Sequence, residues 1–276
     1  MPLVGLGTYP LKEDVLSRTL NTAFELGYRS IDTAFAYHNE ETIGEVLQKS
    51  DSLGQQVFVT SKLSVNDLYL TLHGRHVVRK KSTKKSYTES CKRLQKSILD
   101  LYLLHQPYSN YIDIYEEMVR LYESGKVRAV GVANFKKRQI ERIIEKTGIV
   151  PAVNQIEVNP YNTRKGLIAY CKEKGIQVVA YSPFGRGLLT KELMNEGVLV
   201  AIAQEKQKSV AQVILRWLIQ QDIVVIPRTD KAEKLAQNIQ IFDFHLAEEE
   251  MQQIDQLNRN LFTGLGKLRV EVDDLD

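Results

Sequence analysis

Four ionisable side chains stand at or just beyond the ends of short apolar runs: Asp32 closes YRSID, Tyr37 follows it in the next loop, Lys62 follows VFVTS, and His105 follows LDLYLL. A carboxylate beside an ammonium makes an ion pair. An ammonium or imidazole beside a phenol makes the hydroxyl a better proton donor near neutral pH. The set therefore reads as a general acid without an obvious nucleophile. Taken singly, each residue has a plainer role: Asp32 as a strand-end cap, Tyr37 as a surface aromatic, Lys62 as a solvated cation, His105 as a hydrogen-bonded rim residue. Chemistry follows only if the fold gathers them.

The elements that would gather them recur along the whole chain. β-branched, apolar runs mark strands near 3–7, 28–32, 57–61, 99–104, 127–132, 152–157, 177–181 and 223–227. Amphipathic stretches follow each one, over 14–26, 40–49, about 84–97, 111–123, 136–147, 163–174, 198–220 in one or two pieces, and 231–238. Such strands, apolar on both faces, belong to a parallel sheet. Eight strand-helix units without a composition break predict an α/β fold, a single-domain (β/α)8 TIM barrel spanning 1–276. A doubly wound fold is the alternative, and its dinucleotide fingerprint is missing, because Gly5-Leu6-Gly7-Thr8-Tyr9-Pro10 has no third glycine opening a helix. An extra C-terminal helix is expected over 247–258 and an extended tail over 261–276. In a barrel, reacting groups collect at the C-terminal ends of strands about 4.8 Å apart, so Asp32, Lys62 and His105 on consecutive strands converge.

The composition is that of an ordinary globular protein: 276 residues, 43% hydrophobic and 26% charged, with a net charge of +3. Two cysteines, Cys91 and Cys171, lack disulfide-framework and metal-ligand spacing, which points to a reducing, cytoplasmic setting and to no metal. No stretch is apolar for long enough to span a membrane, and the N-terminus lacks a secretory pattern. The slight basicity is local. Arg75, Arg79, Lys80, Lys81, Lys84 and Lys85 lie together without an acid, in a segment over 68–85 that reads as an inserted basic loop. No aromatic residue interleaves that run, so nucleic-acid stacking gains no support. His73 and His76 nearby are too few for a metal site.

Read in order, GLGTY at 5–9, SIDTAFAYHNE at 30–40, VTSKL at 59–63, DLYLLHQP at 100–107, VRAVGVANF at 127–135, VNQIEVNP at 153–160, AYSPFGRG at 180–187 and IPRTDKAEKLAQN at 226–238 resemble the successive signatures of the aldo-keto reductases. Within them the chain is similar to the compact bacterial and protozoal type that includes 2,5-diketo-D-gluconate reductases. The resemblance covers nearly the whole chain. It implies a carbonyl reductase using NADPH/NADP+, with Tyr37 as proton donor and Asp32, Lys62 and His105 completing a tetrad. In that pattern Lys62, held by Asp32, lowers the Tyr37 pKa, and His105 orients the carbonyl. The resemblance further implies that Gly7 and Thr8 border the cofactor, that Tyr181 stacks on the nicotinamide, and that Asn134 and Gln155 hold its carboxamide. Ser182, Phe184, Gly185 and Arg186 would line the pyrophosphate, Arg228, Thr229 and Lys234 would receive the 2′-phosphate, and Asn238 would lie near the adenine. Partners expected on this basis are a small carbonyl substrate, with a monomeric chain, no nucleic acid and no membrane.

Four departures from the pattern stand out. Ala133 replaces a serine that usually helps hold the nicotinamide amide. The hairpin usual before the first strand is missing ahead of Leu3. Tyr9 and Gln106 stand where relatives often place tryptophan, which predicts a more polar pocket. The interval from Lys62 to His105 is longer than the family norm. A non-catalytic, NADPH-binding or structural relative on the same barrel is the alternative reading.

Overall fold

The computed structural model describes residues 1–63, 70–72, 75–77, 83–263 and 269–270. Eight parallel strands follow one another through a curled sheet in chain order: β1 (Leu6–Gly7), β2 (Ser30–Asp32), β3 (Phe58–Leu63), β4 (Leu101–Leu104), β5 (Val130–Ala133), β6 (Val153–Glu157), β7 (Gln177–Tyr181) and β8 (Val224–Val225). The register sets Gly7 opposite Asp32, Lys62 opposite Leu103, Ala133 opposite Gln155, and Glu157 opposite Tyr181. The chain around β1 also meets β8: Val4 forms a parallel bridge with Val225, whose amide donates to Leu3 O at 2.9 Å, while the Gly5 amide donates to Val225 O at 2.8 Å. With helices between the strands, this is a parallel α/β architecture consistent with a (β/α)8 barrel.

Strand alternation sorts the apolar side chains into two cores. Ile31, Val59, Tyr102, Leu104, Val130, Val132, Ile156, Val178, Ala180 and Val225 point outward and pack under the helices. Leu101, Leu103, Val153, Val179, Val224 and Ile226 point inside the curl and form a small second cluster. Both faces of each strand are thus removed from water, which is why the runs read as continuously apolar.

The helices match the expected order, with physical adjustments at the ends. The helix Lys137–Thr147 stops at Gly148, whose φ of 68° lets its amide turn back to Ile144 O at 2.9 Å. The stretch expected over 198–220 divides into Gly197–Glu205 and Val210–Ile219, the second started by Ser209 and Gln212 in a reciprocal cap. Short helices at Asp51–Gln56 and Leu188–Met194 carry no long amphipathic pattern. The C-terminal helix Glu248–Asp255 is fastened by Trp217 Nε1 donating to Asp255 at 3.0 Å and by the Lys165–Asp255 ion pair at 2.8 Å.

Two boundaries differ from expectation. The basic segment ends earlier than residue 85, because Lys84 and Lys85 lie in the first turn of the helix Thr83–Leu94. Before it, Leu70–Leu72 pairs antiparallel with Arg75–Val77, so this part is not plain loop; His73, Arg79, Lys80 and Lys81 fall outside the described residues. The stretch after 261 is also not simply extended tail, since Leu261–Phe262 pairs antiparallel with Arg269–Val270 and Thr263 is buried.

One tight helix contact gives a stability test. A β carbon added at Gly44, in the helix Glu40–Lys49, would lie 2.2 Å from Arg93 O and 2.8 Å from Leu94 C, both backbone atoms. At an exposed helix position Gly→Ala stabilises by up to ~1 kcal/mol. Here overpacking outweighs propensity, so Gly44→Ala should destabilise by about 2 kcal/mol in urea unfolding. A stabilised variant would show that the two helices separate freely.

Candidate active site

The reactive groups continue the inward-facing positions of the strands. Two residues beyond Leu103 comes His105; Gln155 and Glu157 follow Val153; Tyr181 follows Val179; Arg228 follows Ile226. A period of two keeps all of them on the inner face, and they rise from the apolar plug to the strand ends. There they line a cavity of about 760 Å³, together with Gly7, Thr8, Tyr9, Asp32, Tyr37, Gln106, Asn134, Phe184, Arg186 and Phe262.

Beneath the cavity floor Lys62 is fully buried. Its ammonium pairs with Asp32 and donates to Thr33 O at 2.9 Å and to the Tyr37 hydroxyl at 3.4 Å, so its three N–H groups have three acceptors. Burial alone pulls this lysine toward its neutral form. The Asp32 carboxylate, followed by Tyr37, outweighs burial and holds its pKa above the ordinary lysine value. The other Asp32 oxygen accepts from Gln155 Nε2 at 2.7 Å.

Tyr37 sits on a single 3-10 turn, Phe35–Tyr37, that ends on left-handed His38. Its ring lies 4.9 Å from Tyr9 and 5.9 Å edge-on from His105, with Lys62 Nζ 5.0 Å from its centroid. Burial raises the Tyr37 pKa, and Lys62 is the strongest influence lowering it. The direction expected of Lys62 is present, but burial outweighs it and the net shift is upward. His105 is pushed down to about 3, first by burial and then by Lys62, which keeps the ring neutral; its Nδ1 has no hydrogen-bond partner among the described residues.

A second network lies along the far wall. The Tyr181 hydroxyl donates to Asn134 Oδ1 at 2.6 Å, and Asn134 Nδ2 donates to His105 O at 3.2 Å. Asn134 turns in at a φ of 66°. In the loop after β7, Gly185 at φ 66° and Gly187 at φ 59° allow a tight path, Arg186 Nε donates to Ser182 Oγ at 2.7 Å, and the guanidinium lies 5.5 Å from the Tyr181 ring. Across the cavity, Arg228 Nε reaches Tyr9 O at 3.3 Å.

The structure thus brings Asp32, Tyr37, Lys62 and His105 together and places Gly7, Thr8, Asn134, Gln155, Tyr181, Ser182, Phe184, Gly185, Arg186 and Arg228 on the same cavity. Thr229, Lys234 and Asn238 do not line it: Thr229 accepts from the Lys231 amide at 3.2 Å, Lys234 is exposed, and Asn238 is buried in the helix Ala232–Ile239. Sequence reading missed Glu157 and Phe262. Glu157 was legible, because it lies two residues after Gln155 and so shares its face. Phe262 follows the eighth unit, where no periodicity marks it.

The chain is similar to known proteins over most of its length. Residues 3–259 match the model of the Aldo/keto reductase family. Glyoxal reductase of Bacillus subtilis (strain 168) is 39% identical over 262 residues, covering 94% of this chain and 90% of the relative. An aldo-keto reductase from a Medee basin deep-sea metagenome library superposes with a TM-score of 0.87 at 35% identity, over 100% of this chain and 96% of that one. A Bombyx mori aldo-keto reductase solved in complex with NADP superposes with a TM-score of 0.82 at 33% identity, over 94% and 90% of the two chains. Fold and site define an oxidoreductase on parallel α/β units. The chain belongs to the aldo/keto reductase family.

The neutral imidazole is directly testable. Between about 3 and the ordinary histidine value near ~6.5, the unfolded chain binds a proton that folded His105 does not. Its influence therefore lowers stability as pH falls below that upper value and vanishes above it. In NMR titration the His105 ring signals should stay constant from about pH 8 to 5. A midpoint near the ordinary value would show a solvated ring.

Proposed function

We propose that the chain is an NADPH-dependent reductase of aldehydes and ketones, built on a single (β/α)8 domain, with Tyr37 as proton donor. The observation that carries this reading is the Tyr37 hydroxyl at 3.4 Å from the buried Lys62 ammonium, on the wall of a cavity that also presents His105 and Tyr181.

The residues fit the cofactor. Gly7 borders the cavity, and a β carbon there would come 2.7 Å from Ile226 O, so glycine is required where this backbone packs against the chain after β8. Arg186 and Arg228 supply guanidinium donors suited to phosphate oxygens. Gln155 commits its amide nitrogen to Asp32, which leaves an acceptor oxygen, and Asn134 offers both an acceptor and a donor. Ala133 contributes no side-chain hydrogen bond. When bound, the reduced nicotinamide supplies a hydride from its C4 to the carbonyl carbon.

The protein's part is position and proton. His105, neutral because it is buried, is a hydrogen-bonding group for a carbonyl oxygen and not a competing acid. The Tyr37 hydroxyl releases its proton to the developing alkoxide, and the phenolate that remains is stabilised by Lys62. Asp32 keeps Lys62 charged and fixed in place. Tyr9, Gln106 and Phe262 line the same cavity, and the similarity to glyoxal reductase favours small dicarbonyls among the substrates.

Tyr37→Phe should lower kcat by at least about 10²-fold while NADPH binding, followed by fluorescence, stays near the wild-type Kd. Full turnover by that variant would remove Tyr37 as donor. NADPH binding without oxidation by any member of a carbonyl panel would replace the reductase reading with a non-catalytic one. The 2′-phosphate role of Arg228 and Lys234 has its own measure: the double variant Arg228→Ala, Lys234→Ala should lose roughly tenfold or more of the NADPH over NADH preference, and an unchanged ratio refutes it.

A further inference from the structure

Glu157 is a buried carboxylate that the proposed chemistry does not use. It ends β6 on the inner face, opposite Tyr181, and lines the cavity. Burial raises its pKa, and the Thr263 hydrogen bonds are the main influences opposing that rise. Leaving such a group charged inside a cavity is costly unless its oxygens are satisfied. Thr263 satisfies both: its hydroxyl donates to Oε1 at 2.6 Å and its amide lies 3.1 Å from each oxygen. Asn159 Nδ2 adds a longer contact to Oε1 at 3.3 Å.

Thr263 lies beyond the eight strand-helix units, and the chain leading to it is already anchored. Asn258 Oδ1 accepts from the Thr163 amide at 3.1 Å, the Arg259 and Leu261 amides donate to Tyr161 O at 3.1 and 3.0 Å, and the Arg259 guanidinium lies 3.9 Å from the Tyr161 ring. Leu261 also opens an antiparallel pairing that sets Phe262 opposite Arg269. The next residue, Phe262, is a cavity wall, and the one after it is bonded to Glu157.

We propose that Glu157 is a positioning residue, a buried latch that holds Thr263 against the end of β6 and thereby fixes Phe262 as a wall limiting the size of the carbonyl substrate. This assignment rests on the reductase reading for its consequence, though not for the latch itself. Both carboxylate oxygens face Thr263 donors, so Glu157 acts through the segment and not on the substrate. A buried hydrogen bond whose loss leaves a carboxyl oxygen unsatisfied contributes enough that its removal shifts a local opening equilibrium by about tenfold.

The test uses the full chain. Thr263→Val removes the hydroxyl bond, Thr263→Pro removes the amide bond as well as the hydroxyl, and Thr263→Ser keeps both; the anchors at 258–261 remain in all three. Two readouts are taken: amide exchange at Leu261 and Phe262 resolved by NMR, and the ratio of kcat/KM for a bulky aromatic aldehyde to that for methylglyoxal. Exchange at Phe262 should rise about tenfold in Thr263→Val and further in Thr263→Pro, with Thr263→Ser near wild type. The selectivity ratio should shift toward the bulky aldehyde in the same order, chiefly through KM. In a Phe262→Ala background the Thr263 substitutions should no longer change it. Glu157→Gln, which keeps the volume, should reproduce the Thr263→Val result. Unchanged exchange in Thr263→Pro overturns the latch. Faster exchange with an unchanged ratio overturns the role of Phe262 in selection. A wild-type chain that oxidises no NADPH with either carbonyl defeats the reductase reading, and the exchange result still decides the latch.

Discussion

A charged lysine with no exposed surface governs this site. Removing an ammonium from water is expensive, and an uncompensated one would neutralise or unfold its surroundings. Lys62 stays charged because Asp32 ends the adjacent strand, the Thr33 carbonyl follows it, and Tyr37 arrives one short turn later. Those three acceptors come from a single run of six residues. The spacing between Asp32 and Tyr37 is therefore a requirement set by one ammonium: the chain must leave the strand, give up a carbonyl, and return a phenol to the same nitrogen. The 3-10 turn Phe35–Tyr37, closed by His38 at a φ of 53°, makes that return. Asn39 steadies it by accepting from Thr33 Oγ1 at 2.6 Å and donating to Leu11 O at 3.0 Å, which ties the loops after β1 and β2 together.

The same economy explains why the pocket lies where it does. Inside the curl, aliphatic side chains fill the middle of the sheet, and the period of two carries each inner face on to a polar residue at the strand end. Apolar packing below and chemistry above are consecutive positions of the same strands. A one-residue slip of any strand would swap its polar end residue with an outward-facing aliphatic one, so the core and the site share one register. Gly131 shows how close that packing is: a β carbon there would meet Val153 O at 2.6 Å.

This logic was legible in the sequence to the extent that it is periodic. Eight apolar runs, the helices between them, and the order Asp32, Tyr37, Lys62, His105 all follow from local pattern plus strand order. Glu157 could have been placed by the same alternation that places Gln155. Thr263 and Phe262 could not, since their positions depend on anchors at Tyr161 and Glu157 about a hundred residues earlier, a tertiary fact with no local trace. The basic segment failed for a different reason. Charge marked it as separate, but charge does not say where a helix begins, and Lys84 and Lys85 belong to the helix Thr83–Leu94. The Tyr37 pKa shows a third kind of limit: the sign of the Lys62 influence follows from charge alone, whereas the net shift depends on burial, which only the fold supplies.

The opposite wall is a matter of sharing. The polar work there falls to Asn134 and Gln155, which line the cavity. Asn134 is engaged at both ends, by the Tyr181 hydroxyl and by the His105 carbonyl, and Gln155 has turned its nitrogen to Asp32. Each amide keeps capacity to spare, since Asn134 Oδ1 has a second lone pair and both Asn134 Nδ2 and Gln155 Nε2 have a second N–H. Their existing bonds couple the two sides of the cavity. The Asn134 side chain touches the backbone of His105, while Gln155 touches the carboxylate that holds Lys62, so this wall is one hydrogen bond from His105 and, through Asp32, two contacts from Lys62. The polar groups of this wall and the ion pair that fixes Lys62 thus belong to one hydrogen-bonded network.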